Sequence, residues 1–150
     1  MKYRQLMALL IAGLGALSVQ GCEDDDAVSP LPGEGAIVTF AFEAMNDTMD
    51  VLVTDSATIE AARQRAATGV GPRMPVGPIV RGAGVDPDYP FHYIPSAVRL
   101  NDLATEVCDG RPMRTVEEVY EFFELSTGNR NAAEATWCPW GAKPIAVRNR

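Results

Sequence analysis

The chemistry open to this chain of 150 residues rests on three cysteines, a single histidine and its carboxylates. Cys22 closes Val19-Gln20-Gly21-Cys22, which has the form of a lipobox, and the residues before it read as an export signal. Lys2 and Arg4 give a positive start, and Leu6 to Val19 is uncharged and mostly apolar. Such a run enters a translocon but is too short and wrongly flanked to remain as a spanning helix. The expected chemistry is cleavage before Cys22, then acylation of its sulfur with diacylglycerol and of its new amino group. More than two acyl chains on one residue exceed the two-signal threshold for stable anchoring. Gln20 is a less usual residue at its place in a lipobox, so an ordinary secretory signal and a signal-anchor helix remain competing readings.

Cys108 and Cys138 stand 30 positions apart. Outside the cytoplasm the expected product is a disulfide, whose loop closure is worth about 3.5 kcal/mol in the chain-entropy estimate. Two sharper chemistries compete with it: a metal site adding His92 and Asp109, and a thiol nucleophile activated by His92. Against the metal, no C-x-x-C or H-E-x-x-H spacing pre-arranges ligands. His92 is the one side chain that titrates near neutrality when unperturbed. Its setting, Tyr89-Pro90-Phe91-His92-Tyr93, equally suits a hydrogen-bonded structural histidine. Asp102, Glu106 and Asp109 offer a paired-carboxylate site, although acids in an acidic chain are ordinarily solvated or paired with arginines such as Arg99 and Arg111. No nucleophile elbow, phosphate loop or dinucleotide fingerprint occurs, and no cofactor is implied. Trp137 and Trp140 flank Cys138-Pro139, either as indoles presented for recognition or as packing over the bridge.

These residues need a scaffold, and the sequence divides into an export signal over 1–21, an acidic Pro/Gly tether over 22–35 and a single domain over 36–150. Without its first 21 residues the chain keeps 129, a size for one domain, with 11 basic residues against 20 acidic. That balance argues against nucleic acid, whose phosphates call for a basic patch. Glu23, Asp24, Asp25, Asp26 and Glu34 precede Ala36 with no basic residue among them, so the tether should stay extended and be repelled by anionic headgroups. The Asp24 to Asp26 run lacks the ligand spacing and central glycine of a calcium loop. The expected location is the bacterial envelope, lipid-anchored and facing outside the cytoplasm, with the outer membrane favoured over the inner.

From Ala36 the pattern alternates. Val38, Phe40 and Phe42, then Met49, Val51 and Val53 beyond Asn46-Asp47, predict a hairpin. Asp55 or Ser56 caps a helix that turns Ile59, Ala62 and Ala66 inward and ends at Gly69. The Gly- and Pro-rich stretch over 69–78 reads as loop, Ile79-Val80 as a short strand, and residues 82–90 as turns. Ala97 to Leu100 and Ala104 to Val107 read as two further short strands. Thr115-Val116-Glu117-Glu118 is a capping box for a second helix, with Val116, Val119, Tyr120 and Phe123 at helical spacing and Gly128 as its stop. Ile145 to Val147 closes the chain as a strand. The expected fold is α+β, a mainly antiparallel sheet with two helices on one face and one disulfide.

Thr105-Glu106-Val107-Cys108-Asp109-Gly110-Arg111-Pro112 resembles the E-V-C-D-G-x-P signature of a family of small secreted domains, the BP seventy-four N-terminal domain family, and Trp137-Cys138-Pro139-Trp140 resembles its C-P-W motif. Thr54-Asp55, Ile59-Glu60-Ala61-Ala62, Ile79-Val80-Arg81-Gly82 and His92-Tyr93-Ile94-Pro95 are similar to further family steps, so the resemblance covers most of residues 38–148. Ile94 departs from the pattern, standing where the family tends to have an acid. The resemblance implies a secreted or surface domain with a Cys108 to Cys138 bridge and no reaction. The expectation is then a non-enzymatic binding domain for a protein or small-molecule ligand, attached to a membrane through Cys22, with Trp137, Trp140, His92 and Asp109 as candidate contacts. Two alternatives stand beside it: a small hydrolase or lyase using His92 with Asp109 or Glu106, and a protease-inhibitor-like domain presenting Pro72 to Pro78 as an exposed loop.

Overall fold

The structure, a computed structural model, describes residues 34–103 and 106–150. The expected export signal, Cys22, nearly all of the expected tether and the side chain of Glu106 lie outside the described residues. The alternation from Ala36 builds the expected hairpin. Strands β1 (Ala36–Phe42) and β2 (Asp47–Val53) pair antiparallel, with Ala36 opposite Val53 and Phe42 opposite Asp47. Their apolar faces are buried from Val38 to Phe42 and from Met49 to Val53. The turn between them places Asn46 at a φ of 50°, a left-handed conformation that asparagine tolerates. Helix α1 (Ser56–Thr68) starts where the Asp55 carboxylate accepts the Thr58 N–H at 2.9 Å, and it stops at Gly69, with a φ of 72°.

The stretch expected as loop before Ile79 belongs to the longest strand of a second sheet, β3 (Met74–Arg81). Strands β4 (Phe91–Tyr93) and β6 (Ala135–Trp137) both pair with Ile79 and therefore take opposite sides of β3, while β5 (Arg99–Asn101) pairs with Met74 to Val76. Proline is ordinarily foreign to a strand with neighbours on both sides, because it cannot donate to the ladder. Pro78 fits because the Ile94 N–H donates to its carbonyl at 2.9 Å, while the Ile94 carbonyl, the acceptor that an N–H at position 78 would have used, takes the Ala97 N–H at 2.9 Å. Of the strand expected over Ala104 to Val107, residues 104 and 105 lie outside the described residues, and residues 106 and 107 begin a 3-10 turn that ends at Cys108.

Helix α2 (Val116–Thr127) has the expected capping box, with Thr115 and Glu118 bonding reciprocally, and it buries Val119 and Phe123 while leaving Val116 outside. Strand β7 (Ala142–Asn149), longer than Ile145 to Val147, pairs with β1 to complete a first sheet ordered β2-β1-β7, and α1 packs along it. The α+β class, the antiparallel pairing, the two helices and the disulfide all stand, with the strands divided between two sheets around one core. Both edges of the first sheet are guarded against pairing with another chain. Along β2, the Asp50 N–H donates to the Asp86 carboxylate at 2.9 Å, the Tyr89 hydroxyl donates to the Thr48 carbonyl at 2.9 Å, and the Thr54 N–H donates to the Pro95 carbonyl at 3.1 Å. Along β7, Pro144 has no N–H, and a register shift beside it breaks the ladder.

Candidate functional site

The two cysteine segments meet at one end of β3. Cys108 ends the 3-10 turn and Cys138 follows β6, and the two form a disulfide with their Cα atoms 5.2 Å apart. Both sulfurs are buried against Met74 and Val76, so neither is a nucleophile or a metal ligand. Three further contacts fasten the same segments. The Cys138 N–H donates to the Cys108 carbonyl at 2.8 Å, the Trp140 N–H to the Asp109 carboxylate at 3.0 Å, and the Trp137 indole N–H to the Gly110 carbonyl at 3.2 Å. Gly110 is required by closeness: a Cβ there would lie 3.0 Å from the Trp137 nitrogen and 3.3 Å from the Phe122 ring. The motif residues Cys108, Asp109 and Gly110 thus each hold one position of the opposing segment.

The two tryptophans separate. Trp137 is 0% exposed, stacked on Tyr93 at 5.5 Å and edge-on to Phe91 at 5.0 Å, so it offers no surface for recognition. Trp140 is 44% exposed and borders a depression of about 80 Å³ with Leu103, Asp102, Arg73 and Met74. Leu103, ahead of the 3-10 turn, and Val107, within it, are 87% and 69% exposed. Asp109 is a positioning residue for the Trp140 backbone and has no contact with His92.

His92 lies elsewhere, on β4, in a cavity of about 320 Å³ between β2 and β4. Its Nδ1 sits 2.7 Å from the Gly82 carbonyl, which can only accept, so Nδ1 carries a proton. Gly84 presses on the ring, where a Cβ would come within 2.6 Å of the His92 Cβ. The acids of this cavity are already engaged. Asp86 accepts the backbone N–H groups of Asp50 and Asp88. The Arg148 guanidinium, hydrogen-bonded to Asp50, holds that carboxyl below its ordinary value despite partial burial, and Thr39 adds a second bond. Burial alone pushes the neighbouring Tyr93 phenol well up. Among the described residues no hydrogen bond joins His92 to a carboxylate, and the dyad of His92 with Asp109 is not assembled. No group of three His, Cys, Asp or Glu side chains among the described residues is placed to hold a metal.

The protease-inhibitor alternative also loses its loop, since Met74 to Pro78 is locked between β5 and β6. Sequence reasoning missed β6 and the interlock of Asp109 with Trp140. A glycine directly after Cys-Asp was the available signal that a large ring lies against the backbone there. No curated protein and no solved structure matches the chain. A model of the BP seventy-four N-terminal domain matches residues 35–149.

Proposed function

We propose that this chain, which belongs to the BP seventy-four N-terminal domain family, is a non-enzymatic binding domain held at the bacterial envelope by lipid on Cys22, and that it grips a partner protein through the rim of the Cys108 to Cys138 bridge. The observation that carries this reading is the separation of the two indoles: Trp137 fills the core, while Trp140 stands in solvent beside Leu103. The bridge and the Asp109 contact fix the backbone beneath Trp140, so little ordering is lost when a partner closes over it. An exposed, pre-positioned tryptophan beside an exposed leucine and within a rim of charged side chains, here Arg73 and Asp102, suits an interface anchor. A protein surface suits it better than a small molecule, because enclosed ligand sites run to roughly 300–1,000 Å³ and the depression here is about 80 Å³. The acidic residues after Cys22 serve as a spacer, and the outer membrane is the favoured host.

Two substitutions in the full chain test the two halves separately. Cys22→Ser should move the protein from the membrane fraction to the soluble fraction, and its retention in the membrane would remove the anchor from this account. A photo-crosslinker at Leu103 should trap one partner in cells, and Trp140→Ala should abolish that adduct without lowering thermal stability; an undiminished adduct overturns the rim as the binding surface.

A further inference from the structure

Arg81 ends β3 at the opposite extreme from Met74, roughly 23 Å away at about 3.3 Å per residue. It lines a cleft of about 440 Å³ between α2 and the 82–90 turns, with Val116, Tyr120, Pro87 and Pro90 as apolar walls and Arg114 and Asp88, paired with each other, at the rim. The guanidinium is held on three sides. Its Nη1 donates to the carbonyls of Ala132 at 2.8 Å and Arg130 at 3.3 Å, and its central carbon lies 5.1 Å from the centre of the Tyr120 ring and 5.0 Å from that of Phe123.

Each neighbouring arginine has an acid: Arg114 pairs with Asp47 and Asp88, and Arg130 with Glu117. Arg81 pairs with no carboxylate among the described residues. Its Nε and Nη2 have no protein partner there, and neither is sealed from solvent, since no buried side-chain nitrogen or oxygen among the described residues lacks a partner. A planar fork of two N–H donors, already immobilised and lacking its anion, is the geometry that takes a carboxylate through two parallel hydrogen bonds.

We propose that this cleft binds an organic carboxylate with an apolar body, the carboxylate on the Nε and Nη2 edge of Arg81 and the apolar body against Val116, Tyr120 and the two prolines. The immobilised guanidinium supplies the pairing without the usual ordering cost, and the apolar walls select against a bare anion. The site stands apart from the Trp140 rim and does not depend on it.

N-acetylphenylalanine, titrated into the full chain and followed by amide NMR shifts, is the probe. Saturable shifts centred on Gly82 and Tyr120 are expected. The corresponding amide, which lacks the charge, and inorganic phosphate, which lacks the apolar body, should each bind at least about tenfold more weakly. Arg81→Lys, which keeps the charge but loses the fork, should weaken the acid by a similar factor. Equal binding of the amide, of phosphate or by the lysine variant overturns the proposal, as does the absence of saturation at about 10 mM acid. The comparison of acid with amide uses the unaltered protein, so it does not rest on the variant folding.

Discussion

The two ends of β3 are held by different forces and present different chemistry. At Met74 a covalent bridge and three hydrogen bonds fasten residues 108–110 to residues 137–140, and two large apolar side chains, Leu103 and Trp140, face solvent beside Arg73 and Asp102. At Arg81 the fastening is a guanidinium between two aromatic rings, and what faces solvent is a cation without an acid. A disulfide acts largely by restricting the unfolded chain, whereas cation–π contacts of about 0.5–2 kcal/mol exist only in the folded state. The stapled end can therefore leave Trp140 and Leu103 in water, because its stability does not come from burying them. The arginine end has no such reserve, and there the binding group and the structural group are the same side chain.

Trp137 lies where the two halves meet, paired with Gly77 at the middle of β3 and touching Phe42, Phe91 and Tyr93. Trp137→Ala should be the most damaging change, about 3–5 kcal/mol by urea unfolding, with both ends losing amide protection together. A loss confined to the bridge end would show that Trp137 belongs to that end alone. Cys108→Ala combined with Cys138→Ala should cost about 3.5 kcal/mol of global stability, a loss shared by every amide that exchanges through full unfolding. Beyond that shared loss, hydrogen exchange should quicken further at residues 108–110 and 138–140 than along β4, and in the unaltered protein, denatured without reductant, neither Cys108 nor Cys138 should react with a thiol reagent. Exchange that rises equally along β4 would erase the distinction between the ends.

The sequence shows these two ends unequally. The hairpin and both helices were legible because their signals are local: period-two burial in Val38 to Phe42, the Asp55 and Thr115 caps, and glycines at 69 and 128. The bridge was legible from the extracytoplasmic compartment that an export signal over residues 1–21 would imply. Strand β3 was hidden by Pro75, Gly77 and Pro78; the place of Pro78 in a sheet depends on the Ile94 carbonyl turning to Ala97, a non-local accommodation that no local pattern reports. Strand β6 is three residues long and has no readable period. The fates of Trp137 and Trp140 could not be told apart from type and spacing, since the ring that lies against Gly110 is set by how the two cysteine segments meet. Arg81 gave no signal at all, because its missing acid is a property of the folded neighbourhood.

The smallest stability effect is the most discriminating between the two ends. The backbone N–H of Trp140 is bonded to Asp109 and its side chain is exposed, so Trp140→Ala removes a partly exposed indole and leaves the Asp109 contact in place. It should change unfolding free energy by less than about 0.5 kcal/mol, as a surface substitution away from caps, cavities and buried polar groups does. Partner binding should weaken by about 2 kcal/mol or more, roughly thirtyfold, if the indole is an interface anchor. Calorimetric melting beside affinity capture reads both quantities on one variant. Were melting to fall as far as it does for Trp137→Ala, the ring would be part of the packing over the bridge, and the stapled end would have a structural role only.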